Sequence, residues 1–116
     1  PSTAIGDNCS ISSFTEIENS IVMNDVRIGA GSYISNSIIG SNNSIGPHFI
    51  AEVGKDLKIE MKGMLHSADE LGTVIGDSNL IGPCVLVRAG KMIAMGCSVD
   101  SGVRVTKDIP KDSRVL

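Results

Sequence analysis

Branched aliphatic residues recur along the first half of the chain at Ile5, Ile11, Ile17, Val22, Ile28, Ile34, Ile39 and Ile45. The successive steps are 6, 6, 5, 6, 6, 5 and 6 residues, so one full cycle takes 17. The segment Ile-Glu-Asn-Ser-Ile-Val starting at Ile17 returns one cycle later as Ile-Ser-Asn-Ser-Ile-Ile starting at Ile34. A second series, Ile75, Ile81, Val87, Ile93, Val99 and Val105, keeps a step of 6 and never shortens it. A period of six fits neither an α-helix nor an alternating strand of a sandwich. It predicts an all-β, single-stranded parallel β-helix, with three short strands to a coil and the repeated aliphatic inside a triangular prism.

The residue two places before each aliphatic should also face inward, where space is limited. Cys9, Thr15, Val26, Ser32, Asn43, Asn79, Val85, Cys97 and Val103 hold these positions, and most are small. Corners require backbone that tolerates the left-handed region, which Gly, Asn and Asp supply at Asn8, Asp25, Gly31, Asn42, Gly90, Gly96 and Gly102.

Between Ala51 and Thr73 the period disappears into a charged stretch. This predicts a loop inserted at about 52–73, with a short hairpin around Leu57 to Leu65. Loops of this length in compact domains usually have a purpose; the readings here are decoration or a subunit contact, or a lid or wall over a ligand site. The tail from about 106 to 116 is expected to leave the prism after Val105 and cap it. Its charges and proline would blunt an open edge. Residues 1–116 then form one β-helix domain.

Composition narrows the interior. Hydrophobic residues make up 41% and aromatics only 3%, with no Trp, so Ile, Val, Leu and Met must build the core. A net charge of -3 and the lack of a basic run give no footprint for nucleic acid or an anionic membrane surface. The apolar stretch from Leu80 to Val87 is too short to span a bilayer. Three cysteines, Cys9, Cys84 and Cys97, match no zinc or redox spacing and argue against a disulfide framework, which fits a reducing cytoplasm. A chain that opens on Pro-Ser-Thr without a signal-peptide pattern, already in register by Ile5, reads as a piece of a longer protein.

Few residues carry candidate chemistry. His48 falls on a corner position shared with Cys84, and His66 lies in the inserted loop near Asp69 and Glu70. Either histidine could serve as a general base, because its pKa lies near neutral pH, or be an ordinary surface side chain. Cys84 has no basic neighbour in sequence to activate it, and Cys9 and Cys97 read as core. No metal site is expected: two histidines cannot supply the three ligands of a γ-type carbonic anhydrase. Gly29-Ala30-Gly31 lacks the third glycine and the helix of a dinucleotide fingerprint.

Four segments together resemble the C-terminal domain of sugar-phosphate nucleotidylyltransferases. They are SIGPHFIAE before the loop, TVIGDSNLIG after it, IAMG in a late coil and VTKDIP near the end. The nearest comparison is the bifunctional type, in which an N-terminal domain makes the nucleotide sugar and a C-terminal β-helix acetylates an amino-sugar phosphate. The resemblance implies a left-handed helix, although the usual crossover rule favours the other hand. It also implies a homotrimer with acetyl-coenzyme A in a groove between subunits. By position, Ala94 of IAMG matches a small residue lining that groove, and Lys107 lies near a basic family position. Bifunctional members place a general-base His in the coil before the loop, but Ser32 to Ile39 holds none. Archaeal relatives place one in a segment that here reads Ala51-Glu52-Val53-Gly54-Lys55-Asp56, with Lys55 where the His would stand.

The resemblance leaves two functions to compare. One is a domain that oligomerises a parent nucleotide-sugar enzyme and binds a ligand. In that reading, sugar phosphate or nucleotide sugar is met through the parent. The other is an active acetyl-coenzyme A-dependent amino-sugar-phosphate acyltransferase.

Overall fold

The computed structural model describes residues 3–55 and 70–116. The chain winds as a left-handed parallel β-helix whose two- and three-residue strands stack into three walls. Face I stacks Ala4–Ile5, Ile21–Val22, Ile38–Ile39, Val74–Ile75 and Met92–Ile93. Face II stacks Ser10–Ile11, Arg27–Ile28, Ser44–Ile45, Leu80–Ile81, Ser98–Val99 and Arg114–Val115. Face III stacks Glu16–Glu18, Tyr33–Ser35, Ile50–Ala51, Leu86–Val87 and Arg104–Val105.

Strand register follows the sequence period. Ala4 pairs with Ile21 and Ile21 with Ile38, each 17 positions on. Val74 pairs with Met92, 18 positions on. The repeated aliphatics fill the interior: Val22, Ile28, Ile34, Ile39, Ile75, Ile81, Val87 and Ile93 are all buried. The second inward column matches the expected residues, with Val26, Ser32, Asn43, Asn79, Val85 and Cys97 buried. Cys9, Thr15 and Val103 are only half-buried, because they lie in the first and last coils.

One layer is inverted. Ala51 occupies the aliphatic position of face III, and Phe49 fills the small position two places before it. Large and small exchange places in one layer, so the packed volume is kept.

The three corners use backbone in the left-handed region. The corner between faces I and II carries positive φ at Asn8, Asp25, Asn42, Ser78, Gly96 and Asp112. The corner between faces II and III carries it at Phe14, Gly31, His48, Cys84 and Gly102. The third corner, between faces III and I, has Asn19 and Asn36 at φ 51 in the shorter coils and Gly90 at φ 78 in the longer one.

The insertion enters at this third corner. Gly54 pairs with Leu71 and Lys55 with Glu70 in antiparallel register, so a hairpin leaves the prism there. The hairpin expected around Leu57 to Leu65 lies outside the described residues. The prism resumes at Thr73, which is buried two places before Ile75 instead of standing in the loop. Ile38 pairs directly with Val74, so the walls close across the insertion.

The tail does not leave the prism after Val105. Ile109 bridges to Ile93, and Arg114–Val115 pairs with Ser98–Val99, each 16 positions from its partner. Ile109 is buried, so an apolar residue still points inward and keeps the last turn on the coil.

Candidate functional site

Polar ladders run up the interior and fix the coil register. Asn43 donates from Nδ2 to the Gly40 and Gly76 carbonyls, both at 2.8 Å, and its Oδ1 accepts the Asn79 N–H. Asn79 repeats the pattern, with its Oδ1 accepting the Cys97 N–H at 2.6 Å. Such buried amides need their partners, because an unpaired buried polar group costs about 1–3 kcal/mol.

A second ladder climbs the third corner. Ser20 donates to the Glu18 carbonyl and accepts the Ser37 N–H. Ser37 donates to the Ser35 carbonyl and accepts the Thr73 N–H at 3.0 Å. Thr73 ends the series. By this pattern its hydroxyl would reach back to the carbonyl of Leu71, a residue that stands opposite Gly54 in the hairpin. Thr73 Oγ1 is buried without a hydrogen-bond partner among the described residues.

A cleft of about 440 Å³ opens beside Thr73, at the root of the hairpin. The outward residues of face I, Ile38, Val74 and Met92, form an apolar floor. Asn36, Gly72 and Gly90 of the third corner edge it, and Lys91 and Asp108 bring the charge. Asp108 is held in place, since its Oδ1 accepts the Met92 N–H at 2.9 Å. Beside the hairpin root, Glu52 accepts from Arg88 Nε at 2.7 Å, and the Ala89 N–H reaches the same carboxylate oxygen. The Arg88 hydrogen bond lowers the Glu52 pKa; desolvation opposes it, and the Ala89 N–H and the charges of Arg88 and Arg104 add to the lowering.

The candidates read from sequence do not converge on this cleft. His48 stands exposed on the second corner, at φ 58, and its ring lies over Gly31, where an added Cβ would come within 2.7 Å of Nδ1. It does not line the cleft. His66 lies outside the described residues. Ala94 sits at the far edge of face I, half-buried, with its N–H bonded to the Ile109 carbonyl. Lys107 is exposed and is the neighbour of Asp108, without lining the cleft itself. Cys84 is exposed on the His48 corner, and all three cysteines are free. No group of three or more possible metal-binding side chains occurs among the described residues. No helix among them is long and apolar enough to cross a membrane.

Thr73, Lys91 and Asp108 were not singled out from the sequence. One signal could have found two of them. Gly72-Thr73-Val74-Ile75 aligns with Gly90-Lys91-Met92-Ile93 as successive coils of one wall.

The outer walls differ in character. Face I exposes Ile21, Ile38, Val74 and Met92, each between 43% and 47% accessible. Face III exposes Tyr33 and Ile50 and half-buries Leu86 in its middle coils, with Glu16, Glu18 and Arg104 outward on its first and last strands. Face II shows Ser10, Arg27, Ser44, Ser98 and Arg114, with Leu80 the one large apolar residue among its outward strand positions. Face I and the apolar middle of face III meet at the corner from which the hairpin leaves.

Comparison with known proteins fits this architecture. The chain is 31% identical over 120 residues to the bifunctional protein GlmU of Methanococcus vannielii, covering 99% of this chain and 29% of that protein. GlmU of Methanocaldococcus jannaschii is 27% identical over the same length and covers the same shares. The chain thus spans under a third of these relatives. The solved acetyltransferase domain of PglB from Neisseria gonorrhoeae superposes with a TM-score of 0.78 at 17% identity, covering 98% of this chain and 48% of that one, a likeness of fold. Residues 1–71 match the family described as the GMPPB C-terminal domain, and the chain belongs to that family.

Proposed function

We propose that this chain is the C-terminal β-helix domain of a sugar-1-phosphate nucleotidylyltransferase, that it holds the parent enzyme together as a homotrimer, and that its cleft is a ligand site. The relatives that match nearly all of it are named as bifunctional GlmU proteins. One observation carries the assembly. Face I and the middle coils of the adjacent face III expose aliphatic and aromatic side chains, while face II is mainly polar. A ring of identical subunits needs two different patches on each copy, whereas a two-fold dimer needs one. Apolar patches of this kind on a soluble prism mark contact surfaces.

The cleft supports ligand binding more than acyl transfer. Attack of an amine on a thioester needs a base within hydrogen-bond reach. Among the described residues lining the cleft, the one carboxylate, Asp108, already accepts a backbone N–H, and no histidine is present. Lys91 supplies a cation suited to a sugar phosphate or nucleotide sugar, and the floor of Ile38, Val74 and Met92 suits an apolar surface.

Light scattering tests the assembly. A particle of three chains is expected, and a monomer would overturn it. Incubation with acetyl-coenzyme A and glucosamine-1-phosphate, followed by assay of released thiol, tests the second part. No release is expected. Turnover lost in His66→Ala would replace this reading with the active acyltransferase, acetyl-coenzyme A then being the co-substrate.

A further inference from the structure

The cleft at the hairpin root combines a flat apolar floor with two charged groups on its rim. Ile38, Val74 and Met92 stand on successive coils, Ile38 beside Val74 and Val74 beside Met92. At about 4.8 Å per coil, the floor is roughly 10 Å long. All three side chains are close to half accessible, so the floor is open to a ligand. The polar groups stand around it. Asn36 is engaged by Asn19, whose Nδ2 donates to its Oδ1 at 2.7 Å. Lys91 and Asp108 carry the charge. Among the described residues the one ion pair joins Arg88 to Glu52, so Lys91 and Asp108 pair neither with each other nor with another described side chain.

Both charged residues owe their places to coil length. Ser20, Ser37 and Thr73 fill the inward position two places before the face I aliphatic, and all three are buried. Lys91 holds the same position one coil higher, yet it is only half-buried and lines the cleft. The extra residue of that corner, with Gly90 at φ 78, gives a long side chain its way out. Asp108 stands above Met92 on the same wall, because Ile109 bridges to Ile93. Its Oδ1 accepts the Met92 N–H, and its Oδ2 accepts no hydrogen bond among the described residues.

A ligand that fits is flat and apolar in one part, anionic in another, and offers hydroxyl donors in a third. A sugar phosphate alone does not meet the first demand. Its ring hydroxyls would exchange water for aliphatic carbon on the floor, an unfavourable exchange. A nucleoside diphosphate meets all three. Its base lays an apolar face on the floor, its ribose diol donates to a free carboxylate oxygen, and its phosphates suit an unpaired lysine.

We infer that the cleft recognises the nucleoside diphosphate part of a nucleotide sugar, with Asp108 as the residue that reads the ribose diol. This deepens the reading of the cleft as a ligand site and rests on it. The domain then holds the product class of a nucleotidylyltransferase rather than its sugar phosphate substrate.

Isothermal titration calorimetry on the 116-residue chain tests this. The probes are the diphosphates of uridine, guanosine and adenosine, one of them also in its 2′,3′-dideoxy form, with glucose-1-phosphate and coenzyme A. The diphosphates should bind at least about tenfold more tightly than glucose-1-phosphate, and the dideoxy form about tenfold more weakly than its parent, for loss of hydrogen bonds to a charged oxygen. Asp108→Asn keeps an oxygen for the Met92 N–H and puts an amide nitrogen in place of the free oxygen. It should bring the parent diphosphate down to the dideoxy level and leave dideoxy binding unchanged. Lys91→Ala should weaken both alike and make binding less sensitive to salt. Glucose-1-phosphate that binds as tightly as the diphosphates overturns the inference while the ligand-site reading stands. So does a dideoxy form that binds as well as its parent. Coenzyme A, whose ribose is 3′-phosphorylated, does the same if it binds more tightly than adenosine diphosphate. Absence of binding by every probe overturns both.

Discussion

The coils before the hairpin and those after it share one interior but turn their third corner differently. Below it, a tight corner places Asn19 and Asn36 in left-handed backbone, tied by an amide–amide hydrogen bond of 2.7 Å. Above it, one more residue enters and Gly90 takes the positive φ. The walls show no such change. Ile39 pairs with Ile75 across the insertion as regularly as Val22 pairs with Ile39 below it. The insertion therefore sits where the wall ladder is not interrupted, and corner chemistry rather than core packing records it. Among the described residues its structural cost falls on one group, the hydroxyl of Thr73.

The largest test asks whether the two blocks are one cooperative unit. Ile39 and Ile75 are stacked neighbours on opposite sides of the insertion and are fully buried. Ile39→Ala and Ile75→Ala should each destabilise the chain by about 2–5 kcal/mol, through lost burial and the cavity left behind. Urea unfolding should show one transition, displaced similarly by both. Two transitions, each sensitive to only one variant, would mean that the hairpin divides the helix into separate folding units.

The next pair should move in opposite directions. Ser37→Ala removes the acceptor for the buried Thr73 N–H and should cost about 1–3 kcal/mol. Thr73→Val removes a hydroxyl with no partner and should stabilise by about 1 kcal/mol. If Thr73→Val destabilises instead, the corner above the hairpin continues the serine ladder, and the contrast drawn here fails. A sugar phosphate titrated into both proteins adds a second reading: weaker binding to Thr73→Val would give the orphan hydroxyl a ligand to serve.

The walls were legible because each repeat states its own burial. An aliphatic every five or six residues cannot be hidden in a narrow prism any other way, and the position of the hairpin follows from where that series stops. The inverted layer was not legible. Ala51 breaks the aliphatic pattern, and only its neighbour Phe49, pointing inward, shows that the coil continues. The tail was misread for a related reason: Pro110 and its charged neighbours obscure Ile109, which with Val115 keeps it in the prism. The cleft depended on both features. Asn36, Thr73, Lys91 and Asp108 meet only after coils of different length are stacked, and Asp108 belongs to the turn that sequence had placed outside. His48 could be read as a corner residue, but not that its ring would cover Gly31, which is a consequence of column stacking.

The smallest effect contrasts two solvent-facing carboxylates, one on the lowest strand of face III and one beside the root of the hairpin. Glu16, on the lowest strand of face III, has a raised pKa, first from its hydrogen bond with Glu18, then from desolvation and repulsion by the same neighbour. Its folded state holds the proton more tightly. The stability it contributes is complete below the ordinary glutamate pKa and is lost as pH rises through the raised value. Glu52 behaves oppositely, because Arg88 holds its pKa down. Its contribution is present above the ordinary value and disappears as pH falls through the lowered one. Both groups face solvent, so each change is small and weakened by salt. Measured by thermal unfolding from neutral to acidic pH, Glu16→Gln should be slightly more stable than the parent at neutral pH and lose that advantage in acid. Glu52→Gln should be slightly less stable at neutral pH and converge with the parent in acid. Parallel curves for Glu52→Gln and the parent would show that the Arg88 contact contributes nothing to holding the root of the hairpin on the prism.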